Sequence, residues 1–223
     1  VDSFAKKISE ILANPNTAQI KTAAIQPAPA PQAPQAVQEP AQDLEEVFRI
    51  KIWGSRSQSP SAQAPSAPST YGRQTPCVSV EFNDRLFIFD AGSGITPLGE
   101  AIVKAGHHKD QWLFLTHFHQ SHVEGLSTFP CARAGGGTLS ISGANDPEKS
   151  LQVLVEETFQ KSAALGPVTA DIQLYELLEE TYEILPEVKL TAFYANHPTT
   201  TLGFKLTVKG RTFVYCPDSE IYG

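Results

Sequence analysis

Thr116-His117-Phe118-His119-Gln120-Ser121-His122 places three of the chain's six histidines within six positions. The stretch follows Gln111-Trp112-Leu113-Phe114-Leu115, an apolar run that reads as a buried strand. Imidazoles clustered at a strand end point to a metal site at a sheet edge, because neutral imidazole ligates zinc, iron and other transition metals. The plain alternative is an exposed loop rich in histidine. A cluster at the tip of a buried strand has few such uses.

Working outward, three more apolar runs end in a residue able to bind or support a metal. Arg85-Leu86-Phe87-Ile88-Phe89 leads into Asp90. Val188 to Tyr194 leads into Asn196-His197-Pro198, and Thr212 to Tyr215 leads into Cys216-Pro217-Asp218. In a layered sheet such ends converge on one edge. His117 and His119 are two apart and can point to one side as the strand ends. His197 is the expected third nitrogen. Three nitrogens with an open position form the arrangement that lowers the pKa of bound water to about 7. His122, on a turn, and Asp218, a hard carboxylate able to bridge two cations, are expected at a second position. Both are also the expected catalytic groups. Asp90 is expected behind the ligands, orienting a histidine through its other ring nitrogen.

The remaining segments read as an α+β domain preceded by a linker. Residues 2 to 13 form an expected amphipathic helix with Phe4, Ile8, Ile11 and Leu12 on one face, and it can be the end of an upstream domain within residues 1–22. Residues 23–43 carry repeated Ala-Pro and read as a semi-rigid polyproline spacer. The domain is expected over 44–223. A strand at 47–53 ends at Gly54, and Ser55 to Thr70 is a long polar loop. Strands at 77–82 and 85–90 form a hairpin around Asn83-Asp84. Helices are expected near 97–105 and over 148–165. Strands are expected at 138–142, 171–174, 180–184, 188–194, 202–208 and 212–215. This pattern, many hairpins with some intervening helices, favours a layered α+β domain over a doubly wound sheet. His107 and His108 read as exposed and inert.

The formal net charge is −7, which argues against capture of extended nucleic acid but not against a small anionic ligand held by a metal. Cys77, Cys131 and Cys216 are odd in number, far apart and without a CxxC pair, so a reducing, cytoplasmic setting is expected. No run suits a membrane span. The chain opens on Val1, contains no Met and stops at Gly223, and is expected to be a fragment or a processed product.

These residues resemble the metallo-β-lactamase superfamily, most of all its ribonuclease Z-like and cyclic-nucleotide phosphodiesterase-like branch. The resemblance runs from about Phe48 to Gly223. Trp53-Gly54-Ser55-Arg56 and Tyr71-Gly72-Arg73-Gln74-Thr75-Pro76-Cys77 are similar to that branch's opening hairpin. Phe89-Asp90-Ala91-Gly92-Ser93-Gly94 resembles its first motif, and His117 to His122 with Gly125-Leu126 resembles His-x-His-x-Asp-His. Asn196-His197-Pro198 with Leu202-Gly203-Phe204, and Val214 to Glu220, resemble the third and fourth motifs. The resemblance implies a four-layer αββα sandwich, incomplete at its C-terminus here, with a site for one or two metal ions, zinc or else manganese or iron. It also implies a homodimer. Ser121 stands where the motif has its aspartate, a ligand of the second metal, and becomes a spectator or hydrogen-bond donor beside the site. The family's last ligand histidine is expected beyond Gly223. Two readings follow: a metal-dependent hydrolase, most of all of a phosphodiester, and a catalytically impaired sensor module on the same fold. Without closing elements the domain would expose a sheet edge, which an upstream domain or a second chain would cover.

Overall fold

A computed structural model describes residues 21–22, 47–57, 72–106 and 110–220. The expected helix at 2–13, the Pro-rich linker, most of the 55–70 loop and His107 and His108 lie outside the described residues.

The strands are β1 (Lys21–Thr22), β2 (Phe48–Gly54), β3 (Cys77–Phe82), β4 (Arg85–Phe89), β5 (Gln111–Phe114), β6 (Thr138–Ala144), β7 (Asp171–Leu177), β8 (Thr181–Leu185), β9 (Val188–Tyr194), β10 (Leu202–Val208) and β11 (Arg211–Tyr215). The helices are α1 (Ile95–Ala105), α2 (Gln120–Val123) and α3 (Leu151–Lys161), with 3-10 turns between some elements. One sheet has the order β1-β7-β6-β5-β4-β3-β2 and the other β11-β10-β9-β8.

The hairpin pattern holds for β2–β3–β4 and for β8 to β11, which pair antiparallel. It does not hold from β4 to β7, which run parallel. Parallel strands need crossovers, and α1 and α3 supply two of them. Such strands are covered on both faces, so they read as unbroken apolar runs without the alternation of a hairpin. Trp112-Leu113-Phe114 of β5 is of this kind.

Two cores divide the large sheet. On one face Leu86, Ile88, Leu113 and Ile141 meet α1 through Ile95, Leu98 and Ile102, and α3 through Leu151, Leu154 and Val155. On the other face Val80, Phe87, Phe89 and Phe114 meet Leu190, Leu202, Phe204 and Tyr215 of the second sheet. Helices, sheet and sheet are thus three of the expected layers among the described residues. Both helices differ from their expected bounds. α1 starts at Ile95, two residues early, because Pro97 is tolerated in a first turn, where its missing N–H has no partner to lose. α3 starts only at Leu151. Asp146 Oδ1 accepts from the amides of Glu148 and Lys149, and extended Ser150 caps the helix by accepting from Val153.

The β2 edge is less covered. Phe48, Ile50 and Ile52 pair with Phe82, Val80 and Val78 and share their inward face. Ile50 is nonetheless 47% and Ile52 67% exposed. Among the described residues no helix is long and apolar enough to cross a membrane.

Candidate metal centre

The packing between the sheets brings four chain exits together. Phe89, Phe114 and Tyr215 occupy one aromatic cluster, with Phe89 centred 5.4 Å from Phe114 and 5.5 Å from Tyr215. Asp90 follows Phe89 directly, His117 comes three residues after Phe114, and Asp218 three after Tyr215. The fourth exit, after β9, carries His197. It is tied to the last by Asn196, whose Nδ2 donates to the Glu220 carbonyl at 2.9 Å and whose own carbonyl accepts from the Glu220 amide at 2.7 Å. The Leu202 amide donates to the Thr116 carbonyl at 2.8 Å and links the second sheet to the histidine stretch.

Two donor groups form at this junction, and they share His117. In the first, His119 Nδ1 lies 2.9 Å from His117 Nε2 and 3.3 Å from His197 Nε2. In the second, Asp218 Oδ2 lies 2.9 Å from His122 Nε2 and 3.5 Å from His117 Nε2. Asp218 Oδ2 therefore sits between the two imidazoles of this second group. His117 and His122 are buried, whereas His119 is exposed and His197 and Asp218 are partly exposed, so the centre opens to solvent on one side only.

Behind the ligands lies Asp90, fully buried and held at φ 61°. This left-handed backbone is one that Asp tolerates better than most residues, and it turns the carboxylate back beneath Thr116. His122 Nδ1 is 2.8 Å from Asp90 Oδ2. The Thr116 amide donates to Asp90 Oδ1 at 2.8 Å. The Thr116 hydroxyl donates to the same carboxylate, at 3.0 and 3.1 Å from its two oxygens, and lies 3.0 Å from His117 Nδ1. Thr116 had no assigned role in the sequence; its only signal was its place just before the first histidine. His122 lies on the single-turn α2, and His119, the N-cap that precedes it, is extended.

Close backbone approaches fix α2 against the Asp90 loop. The Ala91 amide donates to the His122 carbonyl at 2.7 Å, and the Gly125 amide to the Ala91 carbonyl at 2.9 Å. A Cβ on Gly125 would collide with the Gly92 carbonyl, and one on Gly92 with the Ser121 carbonyl. Nearby, Thr75 Oγ1 donates to Glu124 Oε1 at 2.7 Å and accepts from the Ser93 amide at 2.7 Å. Ser121 is half-buried, and among the described residues its side chain makes no hydrogen bond.

Electrostatics separate the two buried histidines. Burial, followed by the neighbouring His122, His119 and His197, pushes His117 down to about 3. Burial also pulls His122 down, but the hydrogen bond and charge of Asp90, with those of Asp218, outweigh it and raise this imidazole above its usual value.

No family model matches the chain. Ribonuclease BN of Cronobacter sakazakii is 28% identical over 141 residues, which are 62% of this chain and 45% of that protein. Ribonuclease Z of Archaeoglobus fulgidus is 23% identical over 170 residues, 74% of this chain and 49% of that protein. The chain thus spans about half the length of the curated relatives it matches. Among solved structures, human tRNase Z, short form, superposes with a TM-score of 0.54 at 18% identity, over 74% of this chain and 67% of that one. The metallo-β-lactamase fold protein YhfI of Bacillus subtilis gives 0.52 at 16% identity, over 75% and 60%.

The chain has the metallo-β-lactamase fold. Within this metallo-β-lactamase fold, the donor set can be tested against a metal from its own geometry. A single ring hydrogen on His119 Nδ1 cannot serve both nitrogens that face it, whereas one cation serves all three. A tetrahedral zinc with Zn–N bonds of about 2.0–2.1 Å separates its nitrogens by about 3.3 Å; the His119–His197 pair matches this at 3.3 Å and the His117–His119 pair is shorter at 2.9 Å. The residues present therefore fit a metal at His117, His119 and His197. The second group, His117, His122 and Asp218, offers two nitrogens and one carboxylate oxygen and shares His117 with the first.

Proposed function

We propose that this chain carries the metal-binding part of a metal-dependent hydrolase acting on a phosphodiester in a small anionic substrate. The observation that carries the reading is the convergence of His117 Nε2 and His197 Nε2 on His119 Nδ1 beside Asp218. Similarity to proteins named ribonuclease BN and ribonuclease Z supports the phosphodiester class. His117, His119 and His197 would hold one metal, zinc by ligand type, with manganese or iron as alternatives. His122 and Asp218 would hold a second one weakly. When bound, the metal supplies Lewis-acid polarisation of the scissile group and activation of water. The protein side orients the donors, keeps solvent from the His117 and His122 flank, and leaves the His119 and His197 flank open to substrate. Where no second metal is held, the Asp218 carboxylate and the buried His122 Nε2, 2.9 Å apart, would share a proton between them.

A second reading is favoured by Ser121. With no carboxylate there, the domain would bind a metal or anionic ligand without turnover, as a sensor module. The three unpaired cysteines suit a reducing cytoplasmic setting in either reading. A homodimer, an upstream domain or a second chain is proposed to cover the β2 edge.

Metal analysis of the purified protein, with turnover of bis-p-nitrophenyl phosphate and cyclic nucleotides, tests the assignment. One tightly held equivalent is expected, and two or none would contradict it. Metal-dependent turnover lost in His119→Ala supports the hydrolase. Turnover that appears only in Ser121→Asp supports the sensor.

A further inference from the structure

We infer that Thr116 is a positioning residue through which one carboxylate, Asp90, sets the tautomer and orientation of His117 as well as His122; this rests on reading both imidazoles as ligands. The argument is a count of hydrogens. The Thr116 hydroxyl has one hydrogen to give, and ionised Asp90 accepts only. With that hydrogen directed to Asp90 Oδ1 and Oδ2, the 3.0 Å contact to His117 Nδ1 is a hydrogen bond only if Nδ1 carries the hydrogen and donates. His117 Nε2 then bears the lone pair. It is the atom facing both His119 Nδ1 and Asp218 Oδ2. His122 obeys the same logic directly, as Nδ1 donates to Asp90 Oδ2 and leaves Nε2 toward Asp218.

The relay is rigid and dry. Asp90, Thr116 and His117 are each 0% exposed and His122 3%. Thr116 is β-branched, which restricts its χ1, and its backbone is held from both sides, by Asp90 at the amide and Leu202 at the carbonyl. Asp90 thus serves both donor groups, one imidazole by direct contact and the other through a hydroxyl. Disturbing this single carboxylate reaches a ring it does not touch.

The test combines imidazole nitrogen NMR on metal-free protein with cobalt(II) titration of wild type, Thr116→Val, Thr116→Ser and Asp90→Asn. Wild type and Thr116→Ser are expected to show His117 with its hydrogen on Nδ1. Thr116→Val and Asp90→Asn are expected to lose that single tautomer. The Asp90→Asn result decides the matter if Thr116→Val does not fold. Cobalt affinity is expected to fall about 10–100-fold in Thr116→Val, the range for lost supporting contacts, and to be retained in Thr116→Ser. Adding Thr116→Val to Asp90→Asn is expected to cost little more than Asp90→Asn alone. Retention of the Nδ1 hydrogen on His117 in Thr116→Val or Asp90→Asn overturns the inference and leaves the metal reading standing. Absence of cobalt binding by wild type overturns the metal reading, while the nitrogen spectra still decide the relay.

Discussion

His122 Nδ1 and Asp90 Oδ2 meet at 2.8 Å where the two side chains are 3% and 0% exposed. At this burial, bulk solvent is not at hand to replace a lost partner. Asp90→Ala would orphan the Thr116 amide, the Thr116 hydroxyl and His122 Nδ1 together. Each buried unsatisfied group costs about 1–3 kcal/mol. With partial re-pairing, a loss of roughly 3–5 kcal/mol is expected by urea unfolding. A loss below about 1 kcal/mol would mean that the pocket floods or collapses freely.

The His117 and His122 contributions to the stability of the metal-free protein should together peak near pH 6.5. Below that value unfolded His117 takes up a proton that the folded ring, held down to about 3, refuses. Stability from this group is therefore lost as pH falls from 6.5 toward 3, by at most about 1.4 kcal/mol per unit. His122 has the opposite sign. Its folded pKa is raised, so its contribution is complete below 6.5 and is lost as pH rises through the folded value. Urea midpoints of chelator-treated protein at pH 5.5, 6.5 and 8 report both limbs. His117→Gln should flatten the limb between 5.5 and 6.5, and an unchanged slope would assign that limb to other groups.

Gly125→Ala should damage the centre from outside it. The added Cβ meets the Gly92 carbonyl, which is backbone and cannot rotate away. Overpacking of this kind costs about 1–3 kcal/mol. It also forces α2, and with it His122 and the N-cap residue His119, away from the Asp90 loop. Metal stoichiometry and urea midpoint should fall together. A fall in stability with full metal binding would show that the strain is absorbed elsewhere.

Ile52→Lys should reduce self-association and leave folding intact. Ile52 is 67% exposed on β2, the last strand of its sheet among the described residues. An apolar edge strand invites pairing with another chain, and an inward-facing lysine opposes it. Light scattering over a concentration series should show a lower mean mass, with stability changed by less than about 0.5 kcal/mol. Equal masses for both proteins would remove the β2 edge from consideration as the contact surface.

Much of the fold was legible from local pattern. The β3–β4 hairpin, the β8 to β11 meander and the apolar strand before His117 all announce themselves through alternation or through short apolar runs between turn residues. The parallel order of β4 to β7 was not legible. A strand covered on both faces has no alternation, and its neighbour in the sheet is chosen by packing across a crossover. The start of α3 was misplaced for a local reason, because Asp146 and Ser150 hold the preceding turn extended through side-chain hydrogen bonds.

At the centre the division is similar. The residue types alone determined the chemistry on offer: imidazoles at His117, His119, His122 and His197, carboxylates at Asp90 and Asp218, and a neutral hydroxyl at Ser121. Donor capacity is a property of the side chain and travels with the sequence. Only the tertiary structure decided that His117 belongs to both donor groups, that Asp90 takes a left-handed turn beneath Thr116, and that Gly92 and Gly125 press α2 against that turn. These facts depend on distances of about 3 Å between segments up to a hundred residues apart, at which hydrogen bonds form or fail. Such distances are set by how the two sheets close on their shared aromatic core.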